Sequence, residues 1–143
     1  MSSNTNGSIS YTGSGIGADV SYDAFISSTE STTATHDYEV MIWLAALGGA
    51  EPLGCCNTIA TPTIGGVTWN LYKGYNTWTV YSFVATIEQT DFSGDAMDFF
   101  TYLIDYEGVP SNYYLQSIAG GTEAFLGENA WFTVSPFSLS VNT

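Results

Sequence analysis

The feature that most constrains the fold of this chain is a period-2 alternation of side-chain polarity that recurs in strand-length runs. Side chains of a β-strand point alternately to opposite faces, so each run predicts a strand with one buried face. The runs cover residues 19–26, 39–46, 63–72, 77–86, 113–118 and 130–141, and turn residues separate them. The pair Gly65-Gly66 predicts a hairpin within the third run. Together the runs predict an all-β fold of antiparallel sheets, either a β-sandwich or a jelly roll.

One segment, residues 91–108, has helical periodicity instead. Its apolar residues recur at helical spacing: Ala96, Met97, Phe99, Phe100, Leu103 and Ile104. Ser93 is the predicted N-cap, and Gly108 can end the helix in the left-handed conformation. The segment therefore predicts one amphipathic α-helix packed on a sheet. Its polar face is acidic, whereas helices that bind membrane surfaces are basic, which argues against a membrane role.

The length and charge of the chain limit its organisation and its partners. The 143 residues predict a polar N-terminal tail, residues 1–8, followed by a single domain, residues 9–143. A formal net charge of −13 argues against nucleic acid and anionic membrane, because contacts with phosphates need Lys and Arg. No segment has the apolar length of a membrane span, and the N-terminus lacks a signal-peptide pattern. A neutral partner such as carbohydrate is expected.

No cofactor and no metal are predicted from the residue inventory. Cys55 and Cys56 are adjacent, a spacing at which a disulfide is strained, and they are interpreted as two loop thiols. His36 has no second histidine with which to form a metal site or a catalytic triad. Asp91, Asp95 and Asp98 are explained better by the start of the helix than by calcium binding. Burial in the core is the expected role for any one of Trp69, Trp78 and Trp131.

Two glutamates among apolar and aromatic residues carry the functional prediction. Alternation places Glu39 on the same strand face as Met41 and Trp43, and Glu123 precedes Phe125 by two positions. Salt bridges are nearly unavailable, because the chain has a single lysine and no arginine. Two carboxyls in different surroundings can supply the nucleophile and the acid that cleave a glycosidic bond. A solvated strand glutamate is the structural alternative.

Four segments in this order closely resemble glycoside hydrolase family 12. They are His36-Asp37-Tyr38-Glu39-Val40-Met41-Ile42-Trp43-Leu44, Trp69-Asn70-Leu71-Tyr72-Lys73-Gly74-Tyr75-Asn76, Val80-Tyr81-Ser82-Phe83-Val84-Ala85 and Gly121-Thr122-Glu123-Ala124-Phe125. The resemblance runs from about Ile9 to the end of the chain. That family contains endo-β-1,4-glucanases and xyloglucan-specific endoglucanases, mostly secreted, folded as a β-jelly roll with one helix.

The resemblance implies roles for individual residues. Glu39 corresponds to the nucleophile, Glu123 to the general acid/base, and Asp23 to a supporting acid beside the nucleophile. Met41, Trp43 and Phe125 are implied to bind substrate. Retaining hydrolysis by such a pair requires the two carboxyl groups about 5–5.5 Å apart. A secreted, extracellular location is implied as well.

Departures from the family pattern leave alternatives open. Family members normally carry further N-terminal strands, so a truncated domain with exposed sheet edges is expected, and with it self-association. Ala124 stands where the family usually has proline. The alternatives are a non-catalytic sugar-binding β-sandwich and a truncated or redesigned jelly roll with vestigial catalytic residues. The sequence does not choose between cellulose-like, mixed-linkage and xyloglucan substrates.

Overall fold

The computed structural model describes the backbone of residues 2–31 and 33–142, and the side chains of residues 19–31, 33–90 and 92–121. Within these residues it has seven strands and one helix. In chain order they are β1 (Ser2–Ser27), β2 (Tyr38–Leu47), β3 (Thr63–Ile64), β4 (Val67–Asn76), β5 (Trp78–Ala85), β6 (Asp91–Asp95), α1 (Ala96–Glu107) and β7 (Tyr114–Asn142).

The strands form one curled sheet in the order β3-β4-β5-β2-β1-β6, and β7 also pairs with β1. Strand β1 is long enough to pair with β2 through residues 18–26 and with β6 through residues 4–8. Several register shifts interrupt the β1–β7 pair, and such irregularities let long strands bend. The pairs are antiparallel except β2–β5, which is parallel. The predicted class, a jelly roll with one helix on a sheet, is confirmed.

The predicted strands correspond closely to the observed ones. Residues 19–26, 39–46 and 77–86 lie in or around β1, β2 and β5, and the predicted hairpin is formed by β3 and β4. Both turn glycines have positive φ, 62° for Gly65 and 77° for Gly66. The last two predicted runs both belong to β7. The backbone of residues 2–8 is part of β1, and the division into a tail and a single domain stays a prediction.

The predicted helix is present, but its start differs from the prediction. Gly108 ends α1 with φ 76°, as expected. The prediction of Ser93 as N-cap is wrong, because residues 91–95 pair with β1 as strand β6. Asp95 caps the helix instead, and its carboxylate accepts a hydrogen bond of 2.9 Å from the Met97 amide. Strand pairing therefore moves the first helical turn two residues towards the C-terminus.

The core lies between α1 and one face of the sheet. The alternate β1 residues Val20, Tyr22, Ala24 and Ile26 are buried there, as are Phe99 and Leu103 of the helix. The Phe99 ring packs edge-on against Trp69 and Phe83, each at 5.1 Å between ring centroids. Among the residues that the structure describes, no helix has the length and apolar character to cross a membrane. The other face of the sheet is left to form a cleft.

Candidate active site

A cleft of about 480 Å³ lies on the sheet face that α1 does not cover. Strand β1 contributes Asp19, Ser21 and Asp23 to it, and β2 contributes Glu39, Met41 and Trp43. Its lining is completed by Asn76 of β4, Val80 of β5, the segment around Gly120 and part of the loop that follows β2. The cleft is therefore lined by the strand side chains that point away from the core.

Strand register explains why these side chains meet. Asp23 is the antiparallel partner of Met41, and Phe25 is the partner of Glu39. Residues opposite one another share a face, so Asp23 and Glu39 are diagonal neighbours on the cleft side. A register shift between Val20 and Ser21 then makes Ser21 the partner of Trp43. The four residues that the sequence predicted on β1 and β2, namely Asp23, Glu39, Met41 and Trp43, are brought together.

The carboxylate of Glu39 is held by an aromatic side chain. The indole Nε1 of Trp78 donates a hydrogen bond of 2.9 Å to Glu39 Oε2. The Trp78 ring in turn packs edge-on against His36 at 5.1 Å and Phe25 at 5.8 Å. The expectation that Trp78 lies in the core is wrong, because it shares the cleft side of β5 with Val80. Trp69, by contrast, is fully buried in the core, as expected.

Asp19 is a further acid of the cleft. It is completely buried, and its Oδ1 accepts a hydrogen bond of 2.8 Å from the Ser21 hydroxyl. Alternation already places it on the polar face with Asp23, which is the signal by which sequence reasoning could have selected it. Among the described residues that line the cleft, four are acidic and none is basic. Such a lining disfavours anionic ligands.

Glu123 and Phe125, both predicted at the site, have side chains outside the described residues. The backbone register places Glu123 opposite Asp19 across the β1–β7 pair. Strand β1 lies between β2 and β7, so Glu39 and Glu123 stand on strands separated by two inter-strand spacings, about 10 Å. Their partners on β1, Phe25 and Asp19, are six positions apart along that strand, or about 20 Å.

One wall of the cleft is a loop, residues 51–57, which we call the wall loop. Its residues Glu51, Pro52 and Leu53 line the cleft. The prediction of two free loop thiols is wrong, because Cys55 and Cys56 form a disulfide within this loop. Glu51 and the two sulfurs lie within 4.8 Å of one another. Disulfide sulfurs are not thiolate ligands, so this group does not supply a metal site.

The chain matches a known protein family along almost its whole length. The family model for glycosyl hydrolase family 12 matches residues 1–142. The xyloglucan-specific endo-β-1,4-glucanase A of Aspergillus aculeatus is 55% identical over 134 residues, which cover 92% of this chain and 56% of that relative. The enzyme of the same name from Aspergillus niger is also 55% identical, over 133 residues. The chain spans about half the length of these relatives.

Solved structures have the same fold. Endoglucanase 3 of Trichoderma harzianum, from the same family, superposes with a TM-score of 0.91 at 44% identity, covering 99% of this chain and 63% of that one. The native family 12 xyloglucanase from Bacillus licheniformis gives a TM-score of 0.88 at 29% identity, covering 99% and 62%. These neighbours support the jelly-roll architecture. With a family model that matches nearly every residue, the chain belongs to glycosyl hydrolase family 12.

Proposed function

We propose that this chain carries the catalytic cleft of a retaining endo-β-1,4-glucanase that acts on xyloglucan. The observation that carries the proposal is Glu39, a carboxylate held by the Trp78 indole on the floor of a cleft without basic side chains among its described lining. The two Aspergillus relatives are named for xyloglucan-specific activity, which supports the choice of substrate. A neutral polysaccharide suits a cleft that is lined by acids.

The proposed reaction has two steps. Glu39 attacks the anomeric carbon while Glu123 protonates the departing glycosidic oxygen, and a glycosyl ester forms on Glu39. Water then attacks the same carbon with Glu123 as base, and the ester bond breaks. The choice of Glu123 rests on the family resemblance and on its sheet face, because it stands opposite Asp19 and opposite residues of an antiparallel pair share a face.

Neighbouring residues are assigned supporting roles. Asp23, diagonal to Glu39 on β1, orients the nucleophile and keeps negative charge near the forming oxocarbenium ion. Met41 and Trp43 form the floor beneath the sugar at the cleaved bond, and Phe125 contacts the sugar beyond it. The indole N–H of Trp43 is buried and has no hydrogen-bond partner among the described residues.

A substitution at Glu39 tests the proposal. Glu39→Gln preserves the shape of the side chain and removes its nucleophilic charge, so release of reducing ends from xyloglucan should fall by several orders of magnitude. Glu107→Gln, the same chemical change on α1, is the matched control and should leave the activity intact. Retention of more than about a tenth of the wild-type rate would contradict the assignment, since that loss equals only about 1.4 kcal/mol of barrier.

The stereochemistry and the substrate are tested separately. A retaining enzyme releases the β-anomer first, and proton NMR during the first turnovers detects it. Comparison of xyloglucan with an unbranched mixed-linkage β-glucan then measures the preference. Equal rates on both would reject xyloglucan specificity while leaving endo-glucanase activity in place. Binding of xyloglucan without hydrolysis would favour the non-catalytic alternative.

An extracellular location is also proposed. The Cys55–Cys56 disulfide supports it, because disulfides persist mainly in oxidising compartments. Peptide mass mapping of the protein recovered from culture medium, without reductant, measures this directly. Recovery of the protein only from cells, with both thiols free, would argue against secretion.

A further inference from the structure

We propose that Trp78 is the positioning residue of the nucleophile, with its indole N–H fixing Glu39 Oε2 through both steps of the reaction. This role rests on the proposed function of Glu39. Its basis is the Nε1–Oε2 hydrogen bond of 2.9 Å. An indole N–H is a donor only and does not titrate in the range where carboxylates do, so it supplies the same hydrogen bond at any working pH.

The turn before β5 brings the indole to this place. Asn76 and Trp78 are antiparallel partners with only Thr77 between them, and Thr77 has a φ of 65°. Strand β5 then pairs in parallel with β2, so that Glu39 is the partner of Val80. Trp78 is two residues before Val80 and therefore on the same face, within reach of the Glu39 carboxylate.

The indole is held in turn by the rings beside it. His36 and Phe25 meet its ring edge-on, and their own centroids are 4.2 Å apart. His36 Nδ1 hydrogen-bonds to the Gln116 side-chain oxygen, which accepts, so Nδ1 carries a proton. The Gln116 amide nitrogen donates to the Ser31 carbonyl at 2.6 Å. The Trp78 ring is therefore oriented by groups that are themselves fixed.

The hydrogen bond has a specific chemical consequence. With Oε2 held, Oε1 is the oxygen left to attack the anomeric carbon. In the glycosyl ester Oε1 is bonded to the sugar and Oε2 is the ester carbonyl oxygen. Negative charge returns to the carboxylate as water displaces it, and a donor already aimed at Oε2 stabilises that charge without rearrangement. Trp78 thus supplies Glu39 with an oriented hydrogen-bond donor in a chain that has one lysine and no arginine.

Indole NMR tests the contact without relying on activity. In a ¹⁵N-labelled sample, Trp78→Phe identifies the Trp78 indole signal. In Glu39→Ala the chemical shift of that indole N–H should then move towards the values typical of a weaker hydrogen bond. The indole of Trp69, which donates to the Ile64 carbonyl at 3.0 Å, is the internal control and should not move. An unchanged Trp78 signal in Glu39→Ala would overturn the proposed contact.

Kinetics tests the consequence. Trp78→Phe keeps an aromatic ring and removes the donor, so kcat on xyloglucan should fall about 10- to 100-fold, the range for losing a hydrogen bond to a charged group. KM should stay within about threefold, because an interaction with the nucleophile does not bind substrate. Tyr75→Phe, an exposed aromatic on the same hairpin, is the matched control and should keep both constants.

A second variant separates positioning from packing. Replacement of Trp78 by 3-benzothienylalanine exchanges only the N–H for sulfur, so the ring contacts with His36 and Phe25 remain. The same fall in kcat supports the positioning role, whereas wild-type kcat in this variant overturns it. An inactive wild-type protein would overturn the proposed function and this role together. An active wild type with an unaffected variant would overturn the role alone.

Discussion

The wall loop should move if a methyl group is added at Gly54. The loop packs against β4 through two glycines, Gly54 and Gly74. A Cβ on Gly54, whose φ is +87°, would overlap the Lys73 carbonyl oxygen, and a Cβ on Gly74 would lie 2.9 Å from the Leu53 carbonyl carbon. Because Pro52 and Leu53 line the cleft, this contact sets the position of the cleft wall. Gly54→Ala is therefore expected to affect stability and substrate binding together.

The size of the effect follows from two terms. An alanine with positive φ costs about 1–2 kcal/mol. Overlap with backbone that has to shift costs about 1–3 kcal/mol more. Gly66→Ala is the matched control, because Gly66 has a φ of +77° and no heavy atom within 4 Å of the added Cβ. Gly66→Ala should be destabilised only by its positive φ. The difference in free energy of unfolding between the two variants therefore measures the cost of the overlap.

Urea unfolding and Michaelis kinetics measure the two consequences. The free energy of unfolding should fall about 1–3 kcal/mol further in Gly54→Ala than in Gly66→Ala. KM for xyloglucan oligosaccharides should rise in Gly54→Ala and stay unchanged in Gly66→Ala, since the latter turn lies away from the cleft. Equal stability losses together with equal KM values would refute the idea that the Gly54 contact positions the wall.

Two further predictions concern the core and its edge. Phe99→Ala should lower the free energy of unfolding by about 3–5 kcal/mol, because it removes a buried ring packed against Trp69 and Phe83. Thr101→Ala, at an exposed position of the same helix, is the control and should change it by less than about 0.5 kcal/mol. Equal melting temperatures for the two variants would contradict this prediction. Burial raises the pKa of Tyr38, so the folded state favours the neutral phenol. The contribution of this preference to the free energy of unfolding is complete below pH ~10 and is lost as the pH rises through the pKa of the folded state. Tyr38→Phe should therefore flatten the alkaline fall in stability, and identical pH-dependent melts would reject the linkage.

Alternation along single strands was sufficient to predict which residues share a face. It placed Glu39 with Met41 and Trp43, and Asp23 with Asp19, because side-chain parity is a local property of the backbone. The start of α1 was not predictable in this way. Ser93 has the chemistry of an N-cap, but pairing of residues 91–95 with the distant residues 4–8 competes with it and prevails.

Register between strands that are distant in sequence is the information that local patterns lack. Period-2 reasoning grouped Trp78 with Val80 without indicating which neighbouring strand they would meet. The parallel β2–β5 pairing decides this, and it puts Trp78 beside Glu39 instead of in the core. The opposition of Asp19 and Glu123 is likewise a product of the long β1–β7 pair. The sequence therefore predicted Glu39 and Asp23 but not the Trp78 indole that donates a hydrogen bond to Glu39.

The charge balance of the chain explains why that donor is an indole. A net charge of −13 and four acids among the described cleft residues repel anions, so the cleft suits a neutral chain of sugars. A neutral substrate brings no cation to offset Glu39, and the single lysine lies over the Tyr81 ring, 5.5 Å from its centroid. The carboxylate must then be stabilised by dipoles that are already oriented. An N–H fixed by packed rings meets that requirement, and because it carries no charge it does not neutralise the carboxylate that we propose as the nucleophile.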